Sequence, residues 1–167
     1  PPPRRRERVA VVGSGPAGLT AAHFLCRAGF PVTIFEELPE PGGMLRCGIP
    51  AYRLPREVLD REIQEILAGG VELRTGIRVG RVISLDQLRQ QFDIIFLAVG
   101  AHQSYTLGIP GEDAEGVLGA VEMLRIYHLG RDFKIGKQVA VIGGGNSALD
   151  AARTALRLGA NSVTIYY

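Results

Sequence analysis

Two glycine-rich loops, 130 positions apart, are where this chain can do chemistry. The first reads Gly13-Ser14-Gly15-Pro16-Ala17-Gly18, the spacing GxGxxG, and stands between an apolar run and a helical pattern. Its glycines have separate tasks: Gly13 permits a tight turn, Gly15 lets backbone N–H groups approach a pyrophosphate, and Gly18 lets helix and strand pack closely. The pyrophosphate then rests on the positive end of the helix, so Gly13, Ser14, Gly15, Pro16 and Ala17 are the expected contacts. A lone glycine loop is weak evidence; here strand, helix and acid all stand in their proper places. The acid is Glu36, at the end of the next apolar run, where a carboxylate accepts hydrogen bonds from both ribose hydroxyls of an adenine nucleotide. Glu37 beside it reads as a solvated acid.

The second loop, Gly143-Gly144-Gly145-Asn146-Ser147-Ala148, is a GxGxxA variant. Gly144, Gly145, Asn146 and Ser147 are its expected phosphate contacts. The position matching Glu36 is Tyr167, which is not an acid. A 2′-phosphate is repelled by an acid there and needs a cation nearby, so the loop favours NADP and leaves NAD open.

The elements around these loops form an internal repeat. Residues 8–36 (RVAVVGSGPAGLTAAHFLCRAGFPVTIFE) and 138–167 (QVAVIGGGNSALDAARTALRLGANSVTIYY) stay in register through the helix, and one extra residue near Asn161 restores Val-Thr-Ile. Each copy is an apolar strand, a glycine loop, a helix ending at glycine and a second apolar strand. That is the βαβ half of a doubly wound α/β fold with a parallel sheet. Between the copies, helical spacing predicts a helix over 55–68, with Pro55 in its first turn. Alternation predicts a strand over 71–79, and Ser84 with Gln87 reads as a capping box before a helix over 85–91. Residues 93–99 read as a buried strand and 117–128 as a helix, with a polar connection over 129–137. A domain boundary is expected near residue 103.

Composition narrows the function classes. The 46% hydrophobic and 22% charged residues are those of an ordinary globular chain, and a net charge of +2 does not argue for nucleic acid. The run Arg4-Arg5-Arg6-Glu7-Arg8 reads as a solvated approach to the first strand. No apolar stretch reaches the ~18 residues of a membrane helix, and the start lacks a signal-peptide core, so a cytoplasmic location is expected. Two cysteines, Cys26 and Cys47, can neither hold an iron–sulfur cluster nor form a CxxC dithiol. Cys26, inside an apolar helical pattern, reads as a packing residue; Cys47, in a glycine-rich loop, reads as a packing residue or one that approaches a cofactor. His23, His102 and His128 are scattered and read as structural or solvent-facing. With no catalytic base or nucleophile motif, the pattern fits chemistry carried by bound cofactors, which the protein positions.

The sequence resembles the glutamate synthase small (beta) subunit-like family of FAD/NAD(P)-dependent oxidoreductases, which includes the flavin and NADPH portion of dihydropyrimidine dehydrogenase and related ferredoxin:NADP oxidoreductases. The resemblance covers the whole chain and rests on GSGPAGL (13–19), PGGMLRCGIPAYRLP (41–55), LAVG (97–100), GIPGED (108–113) and GGGNSALDAAR (143–153). It implies that FAD is held by the first loop and Glu36, and that Met44, Leu45, Arg46, Tyr52 and Arg53 line the flavin and its phosphates. Val79 would touch the adenine end, and Gly144 to Ser147 would hold the NADP pyrophosphate. Gly42-Gly43 can bring backbone close to a flat ring, and Arg46 or Arg53 can neutralise a diphosphate. The resemblance leads one to expect a bulkier residue in many relatives at the position of Cys47.

The resemblance further implies hydride transfer between NAD(P)H and FAD, with electrons passing singly to iron–sulfur clusters on other domains or subunits. Those clusters' cysteines, and the FAD-binding strand that follows the nicotinamide domain, lie outside this sequence, so a fragment is expected. It would hold the N-terminal segment of the FAD-binding domain (1–103) and the start of the NAD(P)-binding domain (104–167). The expected partners are an iron–sulfur domain or subunit and a substrate-reducing subunit. Two alternatives are a flavin-dependent disulfide reductase relative, which needs a redox cysteine pair, and a non-catalytic nucleotide-binding assembly module.

Overall fold

The structure, a computed structural model, describes residues 3–167. The chain forms two compact units. One takes the chain up to Arg46 and Leu54–Gly100; the other takes Cys47–Arg53 and Ala101–Tyr167.

The first unit opens with β1 (Val9–Val12), α1 (Pro16–Arg27) and β2 (Val32–Phe35). A four-residue helix α2 (Met44–Cys47) follows, then α3 (Arg56–Ala68), β3 (Glu72–Arg74), α4 (Leu85–Gln91) and β4 (Ile94–Leu97). The four strands are parallel, in the order β3-β2-β1-β4. β1 is central, paired with β2 on one side and β4 on the other, and both its faces are covered. Val9 and Val11 face a cluster with Leu19, Ala22, Leu59 and Ile63 from α1 and α3. Ala10 and Val12 face the opposite way, onto Phe35, Leu88 and Phe92. A period-two strand buried on both sides needs this continuous apolar run.

The chain passes from β1 outward to β2 and β3, then returns to the other side of β1 as β4. The gap above β1 and β4 is therefore a topological switch point, where open α/β sheets bind ligands at the carboxyl ends of the strands.

The second unit contains α5 (Ala120–His128), β5 (Gln138–Ile142), α6 (Asn146–Arg157) and β6 (Ser162–Tyr166). β5 and β6 pair in parallel from Gln138 opposite Ser162 to Ile142 opposite Tyr166. Met123, Ala151, Ala155 and Ala160 form its core, with Phe133, Ile135, Val139 and Val163 against them.

Several expectations change at their edges. The 71–79 strand shortens to Glu72–Arg74 because Gly76 turns the chain at φ +71°. Beyond the turn, Ile77 donates its N–H to the Glu36 carbonyl at 2.8 Å, and Val79 forms an isolated bridge with Ile83. β4, read as buried, is an edge strand that leaves Phe96 42% and Leu97 60% exposed. β5 and β6 alternate between half-buried and exposed residues rather than being buried throughout. Among the described residues no helix is long and apolar enough to cross a membrane.

Candidate dinucleotide-binding sites

The first loop takes its shape from the backbone it meets. Gly13 has φ +102°, and its N–H donates to the Phe35 carbonyl at 2.8 Å, tying the end of β1 to the end of β2. A Cβ on Gly13 would overlap the Ala98 carbonyl at the end of β4, and one on Gly18 would overlap the Gly13 carbonyl. Gly15 is the N-cap of α1, with Pro16 in the first turn. No side chain caps this end and its first turn contains no acid. The first N–H groups of α1 thus lack a side-chain acceptor, the condition a bound diphosphate satisfies.

A second glycine pair closes against the loop. Gly42 donates to the Ser14 carbonyl at 3.0 Å, and a Cβ on Gly43 would stand 2.7 Å from the Gly15 Cα. Two backbones lie here in direct contact, an approach that only residues without a Cβ permit.

Glu36 is 5% exposed and its carboxylate is already engaged. Oε2 accepts from the Ser14 N–H at 2.9 Å and the Ser14 hydroxyl at 2.5 Å, and Oε1 accepts from the Leu38 N–H at 2.8 Å. The acid stands beside the loop, as expected, but with less free acceptor capacity than a bond to both ribose hydroxyls needs.

The residues of the 41–55 motif separate. Met44, Leu45 and Arg46 lie on α2, Leu45 packing against the core of the first unit. Arg46, with its side chain 13% exposed, is clamped by Glu40 at 3.1 Å, by Asp60 and by the Pro41 carbonyl at 2.5 Å. Tyr52 and Arg53 belong to the other unit. There Arg53 pairs with Asp150 of α6 at 2.7 Å, and the Arg157 guanidinium sits 4.0 Å from the Tyr52 ring centroid. His128 Nδ1 lies 2.9 Å from the Cys47 carbonyl, fixing the start of the same segment. Both guanidinium groups thus already have carboxylate partners. Val79 is half-buried against the Phe35–Leu88–Phe92 cluster.

The second loop repeats the first. Gly143 has φ +113° and donates to the Tyr166 carbonyl at 2.7 Å, and Gly145 is the N-cap of α6, again without a side-chain cap or a first-turn acid. Ala148 is buried where the first copy has Gly18. Gly144, Gly145, Asn146 and Ser147 are exposed, and the Tyr167 ring carbons lie 3.2 Å from where a Gly144 Cβ would be.

Sequence reasoning passed over Asp150. It is 3% exposed, and its Oδ1, like the Thr154 hydroxyl one turn on, has no hydrogen-bond partner among the described residues. An acid among the buried alanines of α6 was a visible signal; its partner Arg53, 97 positions away, was not. Among the described residues neither Cys26 nor Cys47 forms a disulfide, and Cys47 is buried.

A parallel sheet with a switch point, and two helices begun by uncapped glycine loops, define a dinucleotide-binding oxidoreductase fold. The chain belongs to the pyridine nucleotide-disulphide oxidoreductase family, whose model matches residues 7–167 and whose members bind FAD and NADPH. It is 48% identical over its full length to the NADPH-Fe(3+) oxidoreductase subunit beta of Geobacter sulfurreducens. Over 96% of its length it is 49% identical to the NADP(+)-dependent formate dehydrogenase subunit beta of Moorella thermoacetica, and 42% to the glutamate synthase [NADPH] small chain of Escherichia coli. It spans 26%, 23% and 36% of these relatives' lengths, in that order. Among solved structures, Mycobacterium tuberculosis FprA in complex with NADPH matches 96% of the chain and 43% of its own, at TM-score 0.82 and 26% identity. The resemblance read from the motifs and the α/β fold both hold.

Proposed function

We propose that this chain is the nucleotide-gripping part of an FAD-dependent NAD(P)H oxidoreductase. The first loop and Glu36 hold FAD, and Gly144 to Ser147 hold the pyrophosphate of NADPH. One observation carries the reading. The same backbone device, a positive-φ glycine followed by an uncapped N-cap glycine, occurs twice in one chain, and only the first copy has an acid at the end of its second strand. Bound FAD supplies the exchange between two-electron and one-electron chemistry. The chain's own residues bind and orient: α1 and α6 present N–H groups to diphosphates, and Gly43 brings its backbone against Gly15.

The 41–55 motif is shared between the two nucleotides. Met44, Leu45 and Arg46 serve the flavin side, and Tyr52 and Arg53 sit with the unit that carries the NADPH loop. Electrons leave to iron–sulfur clusters on a partner domain or subunit in the cytoplasm. This reading is supported by relatives whose names are those of subunits of larger NADPH-linked oxidoreductases.

The test is reduction of the intact flavoprotein without oxygen. NADPH is expected to bleach the visible flavin absorbance faster than NADH at equal concentration. A protein that binds no flavin would overturn the FAD assignment, and a preference for NADH would overturn the choice of NADP.

A further inference from the structure

The hydrogen bonds around Glu36 assign a role to one side chain. We infer that the Ser14 hydroxyl is a positioning group that ties Glu36 to the Gly42-Gly43 turn, leaving Glu36 one acceptor site for the ribose. The inference rests on the FAD reading of the first loop.

Ser14 is fully buried, so its hydroxyl faces no solvent. It donates to Glu36 Oε2 at 2.5 Å and accepts the Gly42 N–H at 3.2 Å. Gly42 also donates to the Ser14 carbonyl at 3.0 Å, so this N–H is shared between two oxygens of one residue. A carboxylate offers about four acceptor sites, two on each oxygen. Both sites on Oε2 are filled by Ser14 and one on Oε1 by Leu38. The remaining site is on Oε1, and it can take one ribose hydroxyl.

Three parts of the grip are thus linked through one residue, Ser14. The Ser14 N–H belongs to the phosphate loop, Glu36 is the sugar acceptor, and Gly42 leads into the turn whose backbone touches Gly15. An alanine at 14 would keep the Ser14 N–H bond to Glu36 and the Gly42 bond to the backbone carbonyl. It would remove only the hydroxyl that restrains the carboxylate and the turn together. The expected consequence is a looser acid, not a collapsed loop.

The experiment measures binding of FAD, and of FAD analogues lacking the 2′- or the 3′-hydroxyl of the adenosine ribose, to the intact apoprotein. The natural protein should bind one deoxy analogue about 10- to 100-fold more weakly than FAD and the other nearly as well, the scale of one hydrogen bond to a charged group. In Ser14→Ala, FAD should bind about tenfold more weakly, and the preference between the two analogues should shrink towards parity. Ser14→Cys keeps the side chain's size with a weaker donor and should fall between, which provides the reading if the alanine variant folds poorly.

Equal losses for both analogues in the natural protein would overturn the single-site claim. A Ser14→Ala variant that weakens all three flavins by one factor would overturn the positioning role, because general damage to the loop acts that way. Failure of the natural protein to bind FAD at all would instead sink the functional reading beneath it.

Discussion

At the scale of single residues, the site is made of backbone far more than of side chains. Gly43 has φ +52° and lies against Gly15 so closely that any Cβ would stand 2.7 Å from the Gly15 Cα. Gly43→Ala would have to hold a left-handed conformation, at about 1–2 kcal/mol, and push two backbones apart. Flavin retained after gel filtration should fall about tenfold or more, with the fold's circular dichroism little changed. By contrast, a Cβ on Gly80 would meet nothing within 4 Å, although φ there is also positive, at +91°. Gly80→Ala should therefore carry only the backbone cost and leave flavin retention near that of the natural protein. Arg46 shows the other side of the residue scale. Its guanidinium is spent on Glu40, Asp60 and the Pro41 carbonyl, so it holds the turn in place.

At the scale of elements, the strands and helices that flank the loops were legible because each carries a local signal. β1 is an unbroken apolar run and β2 is apolar but for Thr33; the capping box at Ser84 and Gln87 forms as read, with bonds of 3.1 and 2.8 Å. Ser84→Ala should cost about 1 kcal/mol, the usual value of an N-cap, seen as a lowered midpoint in denaturant. What was not legible depended on partners far along the chain. The strand expected to run to Val79 ends at Arg74, because Gly76 can turn and because Ile77 finds its acceptor at Glu36. β4 has the same apolar composition as β1, and composition cannot tell a central strand from an edge strand. Strand order does, and order is set by long-range pairing. The motif 41–55 shows the limit most clearly. Its sequence reads as one unit, yet α2 packs with the first half of the chain while Tyr52 and Arg53 are held by Arg157 and Asp150.

At the scale of the whole molecule, burial is uneven. β1 has a strand on either side and apolar layers above and below, while β5 and β6 pair with each other alone among the described strands. Local opening costs least where few buried apolar contacts must break. Amide hydrogen exchange should therefore be slowest in Val9–Val12 and Val32–Phe35, and faster in Gln138–Ile142 and Ser162–Tyr166. Equal protection in the two pairs would contradict this ranking of the cores.

The excursion at Cys47–Arg53 limits how the molecule can be taken apart. Because the polypeptide leaves the first unit, contributes seven residues to the second and comes back, no single cut yields two complete pieces. A truncation at Gly100 would leave Arg53 without its aspartate and Tyr52 without its arginine. A recombinant swap of the nucleotide module between relatives would need to transplant this short stretch along with it, or the graft would arrive with Asp150 parted from the arginine it pairs with.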